Sequence, residues 1–192
     1  QKHHEITIEG LAADKKYDYT VHVGNIVRQY HFRTAHETGS DKPFTFAYAS
    51  DSRAGQGGGE RNIHGANAYI MKKIAALAQQ ENAAFMQFTG DLINGYGTHA
   101  SGMNLEYANW KRAIGPFAHY LPTFVGFGNH EAFLHRFDNN TGYGITVDKF
   151  PFATHSAETL FSKHFDNPDN GPENEDGADY DPDNANKNFP DY

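Results

Sequence analysis

The segment FTFAYASDSRAG, residues 44–55, decides the fold of this chain. Its first seven residues form a near-continuous apolar run, which is typical of a strand covered on both faces in a parallel sheet. The run ends at Asp51, and Arg53 follows two residues later. Because ligands gather beyond the carboxyl ends of parallel strands, a strand that finishes on a carboxylate predicts a site at that edge.

Two helical patterns follow this strand. Residues 62–83 carry apolar side chains at helical spacing, including Ile70 and Leu77, and residues 103–121 form a second helical region. The dipeptide Gly115–Pro116 predicts an interruption of the second helix, since proline lacks the backbone donor that a helix interior needs.

Two further strand patterns separate and follow these helices. Residues 83–90 and 122–129 are short, apolar and rich in aromatic or β-branched side chains. The resulting order of strand, helix, strand, helix and strand predicts parallel strands in an α/β sheet.

All three predicted strands end in polar signatures, which read ASDSR, GDLIN and GNHE. Asp51, Asp91 and Asn129 occupy the strand ends, so three oxygen-bearing side chains are expected at one edge, where they predict a cation site. His130 follows Asn129 and could act there as a proton donor. For any one of these residues the alternative is ordinary turn chemistry, which also favours Asp and Asn after strands.

Together these three blocks resemble those of the calcineurin-like metallophosphoesterases. The resemblance implies a four-layer αββα sandwich that hydrolyses phosphoesters on two divalent or mixed-valence metal ions, with Fe, Mn and Zn all suited to the ligands. It further implies that Asp51 binds the first metal, Asp91 bridges both and Asn129 binds the second. His130 would protonate the leaving group or hold the phosphate.

This sequence departs from the family pattern at several positions. Arg53 stands where the family has a histidine ligand, and its planar guanidinium would suit a phosphate contact or an ordinary surface salt bridge. Asn94 stands where purple acid phosphatases have a tyrosine, so a tyrosinate-iron centre is not expected. The later histidine blocks are absent, which predicts the N-terminal half of the catalytic domain, with the remainder of that domain as its partner. The departures also motivate an alternative, an inactive structural or binding protein that keeps the fold.

The segment before the α/β part has a β character of its own. Residues 1–35 contain three alternating apolar and polar stretches, and the spacing of Leu11 and Tyr17 resembles the tyrosine corner of fibronectin type III-like sandwiches. Residues 36–43 are polar and end in proline, as expected of a linker. We therefore predict the last strands of a β-sandwich at 1–35 and the metallophosphoesterase domain at 44–192.

The last part of the predicted catalytic domain, residues 165–192, is acidic and rich in proline and asparagine, and it reads as a loop or solvated tail. Within it Asp179, Asp181 and Asp183 alternate as ligands do in calcium loops. The glycine and glutamate that an EF-hand requires are missing, which leaves a looser calcium site or a solvated acidic loop.

Composition narrows the function classes. A formal net charge of −8 argues against a nucleic-acid-binding surface, and no apolar run approaches the length of a membrane span. The absence of cysteine leaves His, Asp, Glu and Asn as candidate ligands. Abundant Tyr, Asn, Gly and Asp favour a secreted or extracellular protein, and the opening residues lack a leader, so we expect a processed or truncated chain.

Overall fold

A computed structural model describes residues 4–53, 63–97, 99–136, 143–145 and 155–168, and for 134–136 and 143–145 it describes the backbone alone. Over those residues none of the helices has both the length and the apolar character needed to cross a membrane.

Two antiparallel strands open the structure. β1 (Lys16–Val23) pairs with β2 (Ile26–Arg33) across a turn in which Gly24 has a φ of +57°. The Tyr17 hydroxyl accepts a hydrogen bond of 2.8 Å from the Ala12 backbone N–H, a contact of the kind that closes a tyrosine corner. The assignment of this part to a fibronectin-like sandwich stays a prediction.

The first of the three predicted β stretches is not a strand. Residues 4–10 are exposed and carry no strand pairing. The alternation of Ile6 and Ile8 suits a strand, but a strand needs a neighbour to receive its backbone hydrogen bonds, and the described part of the chain offers none.

The predicted α/β alternation is confirmed. β3 (Ala47–Ala49), β4 (Met86–Phe88) and β5 (Thr123–Val125) form a parallel sheet in sequence order, with α1 (Ala68–Gln80) and α2 (Ala100–Ala118) as the two crossovers. Because each crossover returns the chain to the same edge of the sheet, the three polar strand ends lie side by side.

Helix α1 begins where the Asn67 side chain accepts a hydrogen bond of 3.2 Å from the Ile70 backbone N–H. The helix turns small residues and one methionine to the core, namely Ala68, Met71, Ala75 and Ala78. Of the apolar residues at helical spacing, Ile74 is half-buried against the core, as expected, whereas Ile70 and Leu77 are exposed. Small side chains let the helix axis approach its neighbours closely, and this outweighs the larger apolar area of the other face.

Helix α2 is not interrupted at Gly115–Pro116. It continues to Ala118 with Pro116 inside its last turn. A proline there removes one backbone hydrogen bond close to the end of the helix, where only a few further residues follow. The predicted interruption was therefore wrong: the helix loses one hydrogen bond at Pro116, and too few residues follow it for the helix to be divided in two.

The core lies between the sheet and the two helices. Phe88 and Trp110 meet edge to face with ring centroids 5.7 Å apart, and Phe161 of α3 (Ala157–Ser162) enters the same cluster. A short antiparallel pair, β6 (Leu134–Arg136) and β7 (Tyr143–Ile145), follows β5 and was not predicted.

The N-terminal hairpin is attached to the end of α2 and the residues that follow it. The Tyr19 hydroxyl donates a hydrogen bond of 2.9 Å to the His119 carbonyl, and burial raises the pKa of that hydroxyl. The ring of Tyr30 stacks on the ring of His119 with centroids 4.1 Å apart.

The other face of the sheet carries aromatic side chains that the described residues leave open. Tyr48 is 68% exposed and Phe46 is 49% exposed, while Phe46 stacks on Phe85 with centroids 5.2 Å apart. The prediction that this strand is covered on both faces therefore fails for the described part of the chain, where the helices cover one face alone.

Candidate active site at the strand ends

The loops that leave β3 and β4 run side by side. The Asp51 backbone N–H donates to the Gly90 carbonyl at 3.2 Å, and the Ser52 hydroxyl donates to the Leu92 carbonyl at 2.8 Å. These bonds place Asp51 and Asp91 at equivalent positions on neighbouring strand ends, as the sequence predicted.

Both aspartates adopt a left-handed backbone. Asp51 has a φ of +58° and Asp91 a φ of +53°, a region that costs non-glycine residues free energy unless the surroundings impose it. Asp51 is exposed, and its carboxylate makes no hydrogen bond or ion pair within the described ranges. A strained, exposed and uncommitted carboxylate is what a ligand site requires.

The loop after β5 packs tightly against the loop after β4. A Cβ at Gly90, whose φ is +115°, would lie 2.7 Å from the Gly128 backbone, and one at Gly128 would collide with Asp91. The two glycines therefore allow the close approach that brings Asn129 and His130 beside Asp91.

His130 is the residue that joins the loops. Its backbone N–H donates to Asp91 Oδ1 at 3.1 Å, and its ring Nε2 lies 3.8 Å from Asp91 Oδ2. Its ring Nδ1 lies 2.6 Å from the Asn94 carbonyl, which can only accept, so Nδ1 carries the proton. Nε2 contacts the Arg53 guanidinium, which can only donate, so Nε2 presents its lone pair.

Arg53 is exposed at the mouth of this arrangement, and its backbone bridges to Ala66. Over the residues that the structure describes, it forms no ion pair with a carboxylate. Its described side-chain partner is His130.

Glu131 is a site residue that the sequence argument did not single out, although it is the last letter of the GNHE block. It is fully buried, and its carboxylate accepts from the backbone N–H groups of Asp91 at 2.9 Å, Leu92 at 2.8 Å and Gly128 at 2.7 Å. Burial raises the pKa of this carboxyl, while those backbone N–H groups oppose the rise. Glu131 thus clamps the loops that present Asp91 and Asn129.

Helix α2 supports the same loops from beneath. The Trp110 indole N–H donates to the Ser52 hydroxyl at 2.8 Å, and Glu106 accepts from the Gly95 backbone N–H at 2.8 Å. Trp110 and Tyr107 are buried in the core.

Two exposed histidines, His64 and His99, lie outside the set of candidate ligands. His99 is exposed at the N-terminus of α2 without a side-chain capping bond. The exposed His64 ring lies 3.6 Å from the Glu106 carboxylate.

Tyr96 is a second residue that sequence reasoning missed. The Asn129 side-chain N–H₂ donates to its hydroxyl, and its ring lies against the His130 ring with centroids 4.3 Å apart. Its proximity depends on the turn that follows Asp91, so the spacing of the motif alone contains no signal for it.

The donor set suits a hard cation. Asp51 and Asp91 offer carboxylate oxygens and Asn129 an amide oxygen, which Mg²⁺, Mn²⁺ and similar ions accept. Within the described ranges, no three His, Asp or Glu side chains converge as a metal site. The calcium candidates Asp179, Asp181 and Asp183 lie outside the described residues.

Comparison with known proteins agrees with this arrangement. A family model described as calcineurin-like phosphoesterase matches residues 63–188. The chain belongs to the calcineurin-like phosphoesterase family. The matched part contains Asp91, Asn129 and His130, whereas Asp51 and Arg53 precede it.

Individual relatives of this calcineurin-like phosphoesterase chain are longer proteins. A purple acid phosphatase from Glycine max is 29% identical over 130 residues, which are 67% of this chain and 25% of that protein. A solved structure described as the structure of PhoD shares the fold with a TM-score of 0.52 at 17% identity, covering 79% of this chain and 31% of that one. The chain therefore spans about a quarter to a third of the relatives it matches.

Proposed function

We propose that this chain supplies the N-terminal part of a phosphoesterase active site that uses two metal ions. Asp51 would bind the first ion, Asp91 would bridge both and Asn129 would bind the second. When bound, a pair of Fe, Mn or Zn ions would activate water and neutralise phosphoryl oxygens. The described residues supply three oxygen donors, and further ligands would come from elsewhere in the protein.

The observation that carries this proposal is the junction of Asp91, His130 and Arg53 at the ends of adjacent parallel strands. Asp91 contacts the His130 backbone and lies near its ring, and Arg53 reaches that ring from the neighbouring loop. A carboxylate, an imidazole and a guanidinium brought together at the strand ends match the needs of phosphoryl transfer, where negative charge must be neutralised and a leaving group protonated.

His130 would act through Nε2. Because Nδ1 is engaged by the Asn94 carbonyl, Nε2 is the atom that faces the site, and it would have to carry a proton, with His130 as an imidazolium, to protonate the leaving group or donate to a phosphoryl oxygen. General acid-base groups typically contribute ~10²–10⁴-fold to turnover. Replacing His130 should therefore lower turnover more than metal content, and an equal loss of both would make it a ligand or a structural residue.

Arg53 would clamp the phosphate. Among the described residues its guanidinium makes no ion pair with a carboxylate, so no such pair would have to break when phosphate binds. Its planar fork can bind two phosphoryl oxygens at once. Arg53→Lys should weaken inhibition by inorganic phosphate while metal occupancy stays constant, because a point charge cannot reproduce that fork. An unchanged phosphate inhibition constant would refute the clamp.

The deciding experiment is Asp91→Asn. The amide keeps the size of the side chain but removes the charge that a bridging ligand supplies, so metal-dependent hydrolysis of an aryl phosphate should disappear. Asp18→Asn, at an exposed position on β1, is the matched control. Activity within a few-fold of the parent in Asp91→Asn would overturn the site assignment.

We further propose that the open aromatic face of the sheet receives a second sheet, which would complete the four-layer αββα sandwich. Its support is the exposure of Phe46 and Tyr48 and the greater length of the relatives. The second sheet would belong to the remainder of the catalytic domain. In this proposal residues 1–35 are the last strands of a β-sandwich domain, and residues 36–43 are the linker that joins it to the catalytic domain. Residues 44–192 are the N-terminal part of that catalytic domain. Protection of Tyr48 from labelling in the longer protein, but not in this chain, would test it.

One observation favours a second candidate function. Because no three His, Asp or Glu side chains converge within the described ranges, an inactive binding or structural protein with this fold is the alternative. Metal content and aryl phosphate hydrolysis, measured together on the protein, separate the two.

Secretion stays a proposal based on composition, and fractionation of the source cells would test it.

A further inference from the structure

Tyr96 contacts two residues of the loop that follows β5, Asn129 and His130. Its hydroxyl accepts a hydrogen bond from the Asn129 side-chain N–H₂, and its ring packs on the His130 ring. Its backbone N–H donates to the His130 carbonyl at 2.9 Å. Three separate contacts therefore join one tyrosine to the 3₁₀ turn that carries Asn129.

The chain bends unusually to put Tyr96 there. Tyr96 has a φ of +48°, which is uncommon for a bulky residue, and the preceding Gly95 has a φ of +57°. A Cβ at Gly95 would collide with the His130 carbonyl. Glu106 of α2 holds the bend by accepting from the Gly95 backbone N–H at 2.8 Å. Strain of this kind persists where the surroundings impose it, and it is concentrated at functional sites.

The contact with Asn129 has a chemical consequence. A side-chain amide has an oxygen that can bind a cation and an N–H₂ group that cannot, and a half-turn exchanges their positions. In this structure the Tyr96 hydroxyl accepts from the N–H₂ end, and in that orientation the Asn129 oxygen points the other way. Among the described residues, the hydrogen-bond partner of the Asn129 N–H₂ group is the Tyr96 hydroxyl.

We propose that Tyr96 is a positioning residue that orients the Asn129 amide, so that the Asn129 oxygen is presented to the cation. The inference rests on the proposed function, in which Asn129 is a ligand. It adds a residue outside the motif blocks and gives Tyr96 no part in proton transfer.

The test is Tyr96→Phe, which keeps the ring on His130 and removes the hydroxyl alone. Partners outside the ligand shell typically change metal affinity by ~10–100-fold. We expect Mn²⁺ affinity, measured by titration calorimetry on the protein, to fall by about tenfold. Turnover of an aryl phosphate at saturating Mn²⁺ should return to within about twofold of the parent, because an orienting residue is no longer needed once the site is filled.

Tyr19→Phe is the matched control, since it removes a hydroxyl that donates to the His119 carbonyl at the hairpin. It should leave Mn²⁺ affinity unchanged. Unchanged Mn²⁺ affinity in Tyr96→Phe, or a loss of turnover that saturating Mn²⁺ does not restore, would overturn the inference.

Asp91→Asn separates this inference from the proposed function. If Asp91→Asn loses Mn²⁺ binding and Tyr96→Phe retains it, only the role of Tyr96 fails. If Asp91→Asn also binds Mn²⁺ like the parent, the site itself is wrong and the inference falls with it.

Discussion

At the scale of single residues, backbone strain marks the candidate site. Five described non-glycine residues have a positive φ, and three of them are Asp51, Asp91 and Tyr96. Each stands where a strand or its following loop must turn a side chain toward the same edge of the sheet. Aspartate adopts a positive φ more readily than most residues with a Cβ, whereas a bulky tyrosine does so rarely, so Tyr96 gives the stronger indication of a functional reason.

Asp14, which also has a positive φ, serves a different purpose. Its carboxylate accepts from Arg33 of β2 at 2.6 Å and from Lys42 of the linker at 3.0 Å. The hydrogen bond from Lys42, and next to it the one from Arg33, lower the pKa of Asp14 below its ordinary value of 3.8. The carboxylate therefore ties the hairpin to the segment that leads into the α/β part.

This ion pairing predicts a pH dependence. Because the pKa of Asp14 is lower in the folded state, its contribution is present above about pH 4 and is lost as the pH falls further. The melting temperature of the parent should drop more steeply below that pH than that of Asp14→Asn. The difference should shrink at high salt, since the Asp14 side chain is partly exposed and its partners Arg33 and Lys42 are exposed. Equal pH profiles for the two proteins would contradict the assignment, and Asp18→Asn is the control.

At the scale of elements, the site is a product of loops held by buried polar residues. Glu131 closes the loops after β4 and β5, and Trp110 and Glu106 of α2 hold the loops after β3 and β4. Buried backbone N–H groups must be satisfied, and these loops lack a sheet partner, so side chains supply the acceptors. The helix that covers the sheet therefore also positions the candidate ligands.

Glu131→Gln tests this arrangement. One carboxylate oxygen accepts from the Asp91 and Gly128 backbones, and the other accepts from Leu92. Whichever way the amide points, its N–H₂ faces at least one buried donor, which costs about 1–3 kcal/mol. Chemical denaturation should show a loss of that size, while Glu81→Gln, exposed at the end of α1, should be neutral. Parental stability in Glu131→Gln would show that these bonds contribute little.

At the scale of the whole molecule, the sheet has two unlike faces. Helices cover one, and the other carries a row of aromatic rings in which Phe85 and Phe124 lie 5.7 Å apart and Phe85 stacks on Phe46. Exposed apolar patches of this kind mark interaction surfaces. The face is continuous across all three strands, which suits a second sheet better than an isolated side chain or loop.

Substitution of this face should change its surface chemistry without changing the fold. In the double variant Phe46→Thr and Tyr48→Thr, threonine keeps the strand propensity and removes two exposed rings. Fluorescence of the apolar dye ANS bound to this chain should fall severalfold, with an unchanged far-ultraviolet circular dichroism spectrum. Val21→Thr, on the exposed hairpin, should have little effect. Undiminished dye binding in the double variant would mean that the patch lies elsewhere.

The sequence by itself determined the α/β order, the parallel strand ends and the identity of the residues placed there. These features follow from local patterns: an apolar run makes a strand, helical spacing makes a helix, and a polar residue after a strand lies at the sheet edge. Asp91 and Asn129 could be found in this way because a motif and a strand end coincide at each.

Only the tertiary structure decided which faces and which neighbours these elements have. Helix α1 buries Ala68, Ala75 and Ala78 and leaves Leu77 exposed. Tyr96 and Glu131 each contact a loop that is distant from them in sequence. No local pattern contains such choices, because each depends on how closely two backbones approach and on which buried donors still need an acceptor. Periodicity is a property of one segment, whereas packing and hydrogen-bond satisfaction are properties of the assembled chain.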